Sequence, residues 1–258
     1  MKIKRRASKG IILKAPWELE RLRTANKIVC EVLELLQNSC EPGITTKDLD
    51  RIAYEFILSR GAKPAFLGYR GYPATICISI NNEVVHGIPS DSRTVEEGDL
   101  VSIDIGAIYK DYVGDAARSF SVGTSTDAVR RLLTVTEQAL YKGIEQAIPR
   151  NRVGAIGAAI QEFVEAHGYS VVKKFVGHGV GRSLHEPPEI PNYGNPKQGP
   201  MLKSGMVLAI EPMVNEGTGD VVILDDGWTA VTADGKLSAH FEHSVVVTDN
   251  GPEILSKK

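Results

Sequence analysis

A chain of 258 residues, 42% hydrophobic and 24% charged, has ordinary globular composition and enough apolar residues for a substantial core, in one large domain or two small ones. A formal charge of −2 and a pI near 6.3 exclude a bulk electrostatic pull toward nucleic acid. No apolar run approaches the roughly 20 residues of a membrane span, and Cys30, Cys40 and Cys77 form neither a CxxC pair nor an even framework, which suits packing roles in a reducing compartment.

The first stretch, "MKIKRRASKG", carries Lys2, Lys4, Arg5, Arg6 and Lys9. Residues 1–14 read as a basic, flexible tail, either solvated or in contact with RNA or another acidic surface. No uninterrupted apolar segment follows, so no signal peptide is read and a cytoplasmic protein is expected, with residues 15–258 as a single folded domain. "APWELERLRTANKIVCEVLELLQNSC" has helical periodicity, with Leu19, Leu22, Ile28, Val32, Leu35 and Leu36 on one side. "EPGITTKDLD" ends that helix near Glu41 and offers Thr45 or Thr46 as cap to a second, which runs to about Arg60 with Gly61 as its terminator. A strand-like "ATICISIN" and the loop "NNEVVHGIPSDSRTVEEGD" follow.

"IDIGAIYKDYVGDAARSF", residues 103–120, reads as two strands around a tight turn, yet it holds Asp104 and Asp115 where apolar residues are expected. Alternation puts Val101, Ile103, Ile105, Ala107 and Tyr109 on one face, so Asp104 points away from it. A two-residue turn at Lys110 and Asp111 sets 104 opposite 117 and 106 opposite 115, which brings Asp115 diagonally across from Asp104. Two carboxylates that close survive partial burial only if one is protonated or a cation sits between them.

From about Ser125 the order recurs: a helix to Ala147, the break "IPRNRVG", the helix "VGAIGAAIQEFVEAHG", then "YSVVKKFVG", a long loop and further strands. Two similar halves predict a pseudo-twofold domain with a cleft between them. In the second half His178 lies between two glycines after an apolar strand, with His185 seven residues on. Glu211 ends the apolar strand "MVLAI" before Pro212. In "SAHFEHSVVV", strand alternation places His240, Glu242 and Ser244 on one face. Singly each residue has a bland explanation, such as an ion pair or an ordinary loop histidine. Together, four carboxylates and one histidine at strands or strand ends form an oxygen-rich set suited to a pair of divalent ions such as Mn, Fe, Co or Zn.

Embedded in "SIDIGAIYKDYVGDAARSF", "GHGVGRSLHEPP", "GMVLAIEPMV" and "FEHSVVV", the residues Asp104, Asp115, His178, Glu211 and Glu242 resemble the five-ligand metal site of the methionine aminopeptidases. "LGYRGYPATICISINNEVVHGIP" is similar to the type I bacterial and organellar branch. The resemblance runs from about Ala15 to Leu255 and implies an α+β, pita-bread fold: a pseudo-twofold antiparallel sheet backed by helices. It implies an enzyme that removes the N-terminal methionine from nascent proteins when the second residue is small; by that rule Met1 before Lys2 would be retained. Asp104 would bind one ion, His178 and Glu211 the other, with Asp115 and Glu242 shared. Glu211 would be the general base, His185 would stabilise the tetrahedral intermediate, and His86 would contact the scissile amide or shuttle protons. Tyr69, Tyr72, Cys77, Leu184 and Trp228 match the methionine pocket, and Asn81 and Ser238 resemble positions around a monovalent-cation site. The family is expected to act as a monomer, and the basic tail is compatible with a ribosome contact.

Three positions depart from the family pattern. Phe66 and Leu184 stand where bacterial relatives often have cysteine and phenylalanine, and His240 stands where glutamine is expected. On the face of Glu242, His240 would hydrogen-bond a ligand or titrate near neutrality. A proline-specific aminopeptidase of the same fold is the nearest rival reading, but such chains usually carry a large N-terminal domain for which there is no room. A non-catalytic binding relative is the other, and such proteins typically lose ligands that are all present here.

Overall fold

The computed structural model describes residues 10–257, so Lys2, Lys4, Arg5, Arg6 and Lys9, with any ribosome contact they make, lie outside the described residues. Helix α1 (Pro16–Ser39) opens with proline in its first turn, and Glu18 reaches back to accept the Ala15 N–H at 2.9 Å. Its apolar stripe, including Leu22, Ile28, Val32 and Leu36, is buried. Helix α2 (Thr46–Ser59) is capped by Thr45, whose hydroxyl accepts the Asp48 N–H, and it runs into Gly61 at φ 69°. These two helices cover one face of a sheet made of β1 (Lys63–Pro64), β2 (Ile76–Ile80), β4 (Leu100–Tyr109) and β5 (Tyr112–Ser121); β3 (Glu83–Val85) interrupts the stretch read as loop. Val101, Ile103, Ile105 and Ala107 pack with Val29, Leu36, Leu49 and Ile57 in one core, as the alternation requires.

The second half repeats the plan. Helices α3 (Asp127–Glu145) and α4 (Val153–Ala166) pack against strands β6 (Ser170–Val171), β7 (Gly177–Gly179), β8 (Glu186–Ile190), β9 (Val207–Ile210), β10 (Met213–Asn215), β13 (Ser238–His240), β14 (His243–Thr248) and β15 (Gly251–Ile254). A small sheet, β11 (Val221–Ile223) with β12 (Ala230–Thr232), pairs with β3 of the first half, and the strand pairings described are antiparallel. A third core draws on both halves, bringing Leu22, Phe66, Tyr72 and Cys77 together with Val180, Leu184 and Val246. Such a two-sided core is what a cleft between halves needs as its floor.

Two expectations require correction. "SAHFEHSVVV" is not one strand: β13 stops at His240 and β14 starts at His243, with Phe241 and Glu242 bridging two sheets. The tail boundary at residue 15 also sits late, because Ile11 is buried and Lys14 is tied into the domain by its backbone N–H, which donates to Gly205 at 2.7 Å.

Candidate metal centre and active site

The hairpin between β4 and β5 turns at Lys110 (φ 45°) and Asp111 (φ 67°), and its register pairs Asp104 with Ala117 and Gly106 with Asp115. With the apolar face committed to the helices, Asp104 and Asp115 share the face toward the second half. Asp115 is held at both ends of its peptide unit: its N–H donates to Asn26 Oδ1 at 3.3 Å and its carbonyl accepts from Ser244 Oγ at 2.8 Å. Asn26 reaches β5 because Gly114 has no side chain; a Cβ there would lie 2.5 Å from the Ala25 carbonyl carbon.

The second half presents its residues at a matched pair of strand breaks. Met213 pairs with His240 and Ile210 with His243, so Glu211–Pro212 and Phe241–Glu242 are the facing residues left between the two ladders. Freed from the ladder, the Glu242 N–H donates across the cleft to Ala117 at 3.0 Å, beside the partner position of Asp104. His178, expected in a loop, lies in β7 opposite Ala209. Its Nδ1 donates to the Gly179 carbonyl at 3.0 Å, which leaves the Nε2 lone pair free. That Nε2 is 3.4 Å from Glu211 Oε1 and 3.7 Å from Asp115 Oδ2. Asp115, His178 and Glu242 each offer a ligand atom, all within 4.8 Å of one another.

Burial acts on every acid of this cluster, and repulsion from neighbouring carboxylates adds to it for three of them. Burial pushes Asp104 up to about 7. Burial first, and then the neighbouring carboxylates, hold Asp115, Glu211 and Glu242 well above the ordinary range. Burial, reinforced by the His185 imidazole, drives His178 down to about 3, so it is a neutral donor. Asp104 Oδ1, Asp115 Oδ1 and Glu242 Oε1 are buried without a hydrogen-bond partner among the described residues. Unpaired carboxylate oxygens facing one another, with a neutral imidazole between them, fit divalent cations in both charge and donor chemistry.

Around the cluster, Tyr69, Tyr72, Cys77, Leu184 and Trp228 fall in one apolar group together with Phe66. Tyr72 meets Trp228 edge-on at 5.0 Å, and its hydroxyl lies 3.0 Å from both the Ile76 and Gly87 carbonyls. His86, at φ 63°, packs edge-on against Phe175 and Trp228, and burial takes it down to about 4. The His185 ring lies tilted against His178, ring centres 4.1 Å apart, and shares a 2.7 Å hydrogen bond between its Nδ1 and the hydroxyl of Tyr69, on which it stacks. A cleft of about 830 Å³ opens alongside His178, His185, Glu186 and Pro188. Ser238 donates its N–H to the Asn81 carbonyl at 2.9 Å. His240 is buried with Nε2 3.9 Å from Glu211 Oε2, and burial drives it down to about 3, so titration near neutrality is not what this site produces.

Sequence reading missed Asn26, Phe175 and Asn192. Asn26 interrupts the buried stripe of α1, which was a visible signal for a polar contact. Asn192 donates to the Glu211 carbonyl at 3.0 Å from a loop with no periodicity to mark it. Phe175 was hidden as an apolar residue of a presumed strand that is only two residues long.

Residues 20–249 match the model for metallopeptidase family M24. The chain is 54% identical to a methionine aminopeptidase of Clostridium perfringens over 246 residues, covering 95% of this chain and 98% of that protein. It is 52% identical to methionine aminopeptidase 1 of Bacillus subtilis over 247 residues, 96% of this chain and 99% of that one. The crystal structure of the Thermotoga maritima methionine aminopeptidase superposes with a TM-score of 0.94 at 46% identity, covering 96% of this chain and all of that one (100%). A prolidase from Pyrococcus horikoshii, at TM-score 0.78, 24% identity and 63% of its own length, shares the fold alone. The chain belongs to metallopeptidase family M24 and, within its pita-bread fold, to the type I methionine aminopeptidases.

Proposed function

We infer that the protein hydrolyses the bond after an N-terminal methionine on nascent chains in the cytoplasm, with two divalent ions at the carboxylate cluster. The observation that carries this reading is the convergence of Asp115, His178 and Glu242, with His178 also lining an open cleft of about 830 Å³. Asp104 would hold one ion, His178 and Glu211 the other, and Asp115 and Glu242 both. When bound, such ions lower the pKa of a water and offset charge developing on the substrate carbonyl.

The chain's own groups do the rest. Glu211, the carboxylate next to His178, takes the proton of the attacking water and returns it to the leaving amine. His185, its Nδ1 engaged by Tyr69, donates from Nε2 to the carbonyl oxygen as charge builds. His86 is held neutral by burial and is positioned by Phe175 and Trp228 to bond the scissile amide. Tyr69, Tyr72, Cys77, Leu184 and Trp228 receive the unbranched thioether side chain, which adapts to an irregular apolar pocket. A monovalent cation near Asn81 and Ser238, a monomeric state and a salt-sensitive contact of the basic N-terminus with ribosomal RNA complete the proposal; unchanged ribosome co-sedimentation after deletion of residues 1–10 would remove the last.

The deciding experiment measures free methionine from Met-Ala-Ser, with an Ala-Pro peptide alongside, using protein stripped of metal and then given Mn, Fe, Co or Zn. Metal-restored release from Met-Ala-Ser alone is expected. Cleavage only before proline would move the chain to the prolidase activity, and silence with every metal would leave a binding protein.

A further inference from the structure

Lys14 and Glu186 form an ion pair at 2.6 Å with side chains only 3% and 9% exposed, and it brings Lys14, 172 positions away in sequence, next to the site. Glu186 follows His185. Its Oε1 accepts the N–H groups of Arg182 and Ser183 at 2.8 and 3.3 Å, and its Oε2 accepts from Lys14 Nζ. One carboxylate therefore closes the turn 181–186 that displays Leu184 and His185. Lys14 is itself firmly based: its N–H donates to Gly205, just ahead of the strand β9 that precedes Glu211, and its ammonium also donates to the Ile12 carbonyl at 3.3 Å. The pair lies flat on Gly181, where a Cβ would stand 2.5 Å from Lys14 Cε and 2.6 Å from Glu186 Oε1.

Nothing about stability requires this arrangement. A well-packed apolar pair of similar volume holds a segment at least as firmly as a buried ion pair, because desolvation offsets the attraction. What the ion pair adds is direction. It fixes Glu186 Oε2 while Oε1 holds the turn, so the backbone that carries His185 is set from below. Among the described residues, the hydrogen bond of the His185 ring is to Tyr69, which starts a short 3-10 turn in the other half.

We propose that Lys14 is a positioning residue for the reaction, acting through Glu186 to set the turn that presents His185 and Leu184 to the substrate. This rests on the role given above to His185. The N-terminal segment ahead of α1 is thereby part of the active site's support, although it touches no substrate.

The test is a double-mutant cycle on the Mn-loaded enzyme with Met-Ala-Ser as substrate. Lys14→Met should lower kcat about 10- to 100-fold while changing KM less than about threefold, as a small misplacement of a transition-state group does. In a His185→Ala background the same substitution should cost less than about twofold, and Lys14→Arg should recover most of the single-mutant loss. An equal loss in both backgrounds, or wild-type kcat in Lys14→Met, overturns the proposal. Wild-type kcat in His185→Ala alone instead overturns the role of His185 on which it rests. If Lys14→Met unfolds below the assay temperature, the cycle is run with Glu186→Asp, which keeps the charge and shortens the reach, and the same criteria apply.

Discussion

Each residue of the cluster would be a burden if buried alone, and the set becomes intelligible only together. An isolated buried carboxylate is costly without a partner, yet Asp104, Asp115, Glu211 and Glu242 sit side by side, and among the described residues Asp104, Asp115 and Glu242 each keep an unpaired buried oxygen. Asp104→Asn tests this directly, since it keeps the shape and removes one charge. Titration calorimetry should show Mn affinity reduced by about a hundredfold or more, while the metal-stripped variant melts above the stripped wild type at about pH 8, because one repulsive charge is gone. Lower stability of the stripped variant would contradict the repulsion argument. The pocket makes a separate claim. Leu184 is buried in one cluster with Tyr72, Cys77 and Val207, so Leu184→Ala leaves a cavity where the proposed reading seats the thioether. A loss of about 10- to 100-fold in kcat/KM for methionine substrates, carried mainly by KM, is expected from steady-state kinetics.

At the scale of elements, the site depends on two devices: a hairpin that turns a carboxylate pair inward, and two strand breaks that leave Glu211 and Glu242 outside the ladders. The hairpin seats on α1 at Gly114. Gly114→Ala places a Cβ against the Ala25 backbone, which cannot yield as a side-chain tip would, and it strains the Asn26–Asp115 hydrogen bond. A destabilisation of about 2 kcal/mol or more is expected from urea unfolding, with metal affinity lowered in parallel. The hairpin was legible because period-two alternation and a Lys-Asp turn fix register locally, so the diagonal relation of Asp104 to Asp115 follows from counting. The break at Phe241–Glu242 was not legible. Alternation runs unbroken through the letters of "SAHFEHSVVV", and only pairing with β9 and β10, some thirty residues earlier, splits it. Lys14 was assigned to a basic tail for the same reason: its partner Glu186 is 172 positions away, and local composition carries no trace of it. His178 looks like a loop histidine because a three-residue strand made of one histidine between two glycines has no pattern of its own.

At the scale of the whole molecule, the proposed ligand set spans the seam between the halves, with Asp104 and Asp115 on one side and His178, Glu211 and Glu242 on the other. Ser119 already crosses that seam, its Oγ donating to the His240 carbonyl at 2.7 Å and accepting the His240 N–H at 2.9 Å. Cations bound at the proposed site between the halves would add to this closure, and because they would bind the folded chain, their removal should lower stability. The pH dependence of that loss has a definite sign. In stripped protein the cluster's carboxyl pKa values are raised, Asp104 to about 7 from 3.8, so the folded state binds more protons than the unfolded chain and stability falls as pH rises through this range. Buried His86, His178, His240 and His243 oppose this below their unfolded value of 6.5, since they are held neutral in the fold and must be charged in the unfolded chain. Above 6.5 those histidines are neutral in both states, and the carboxyls act unopposed. Scanning calorimetry should therefore show the melting temperature of chelated protein falling between about pH 6.5 and 8. Metal-loaded protein should hold or gain over the same interval, because the ions compete with protons for the same oxygens. The gap between the two forms then widens as pH rises, and a gap that narrows instead would mean the buried carboxylates are not the groups that set it.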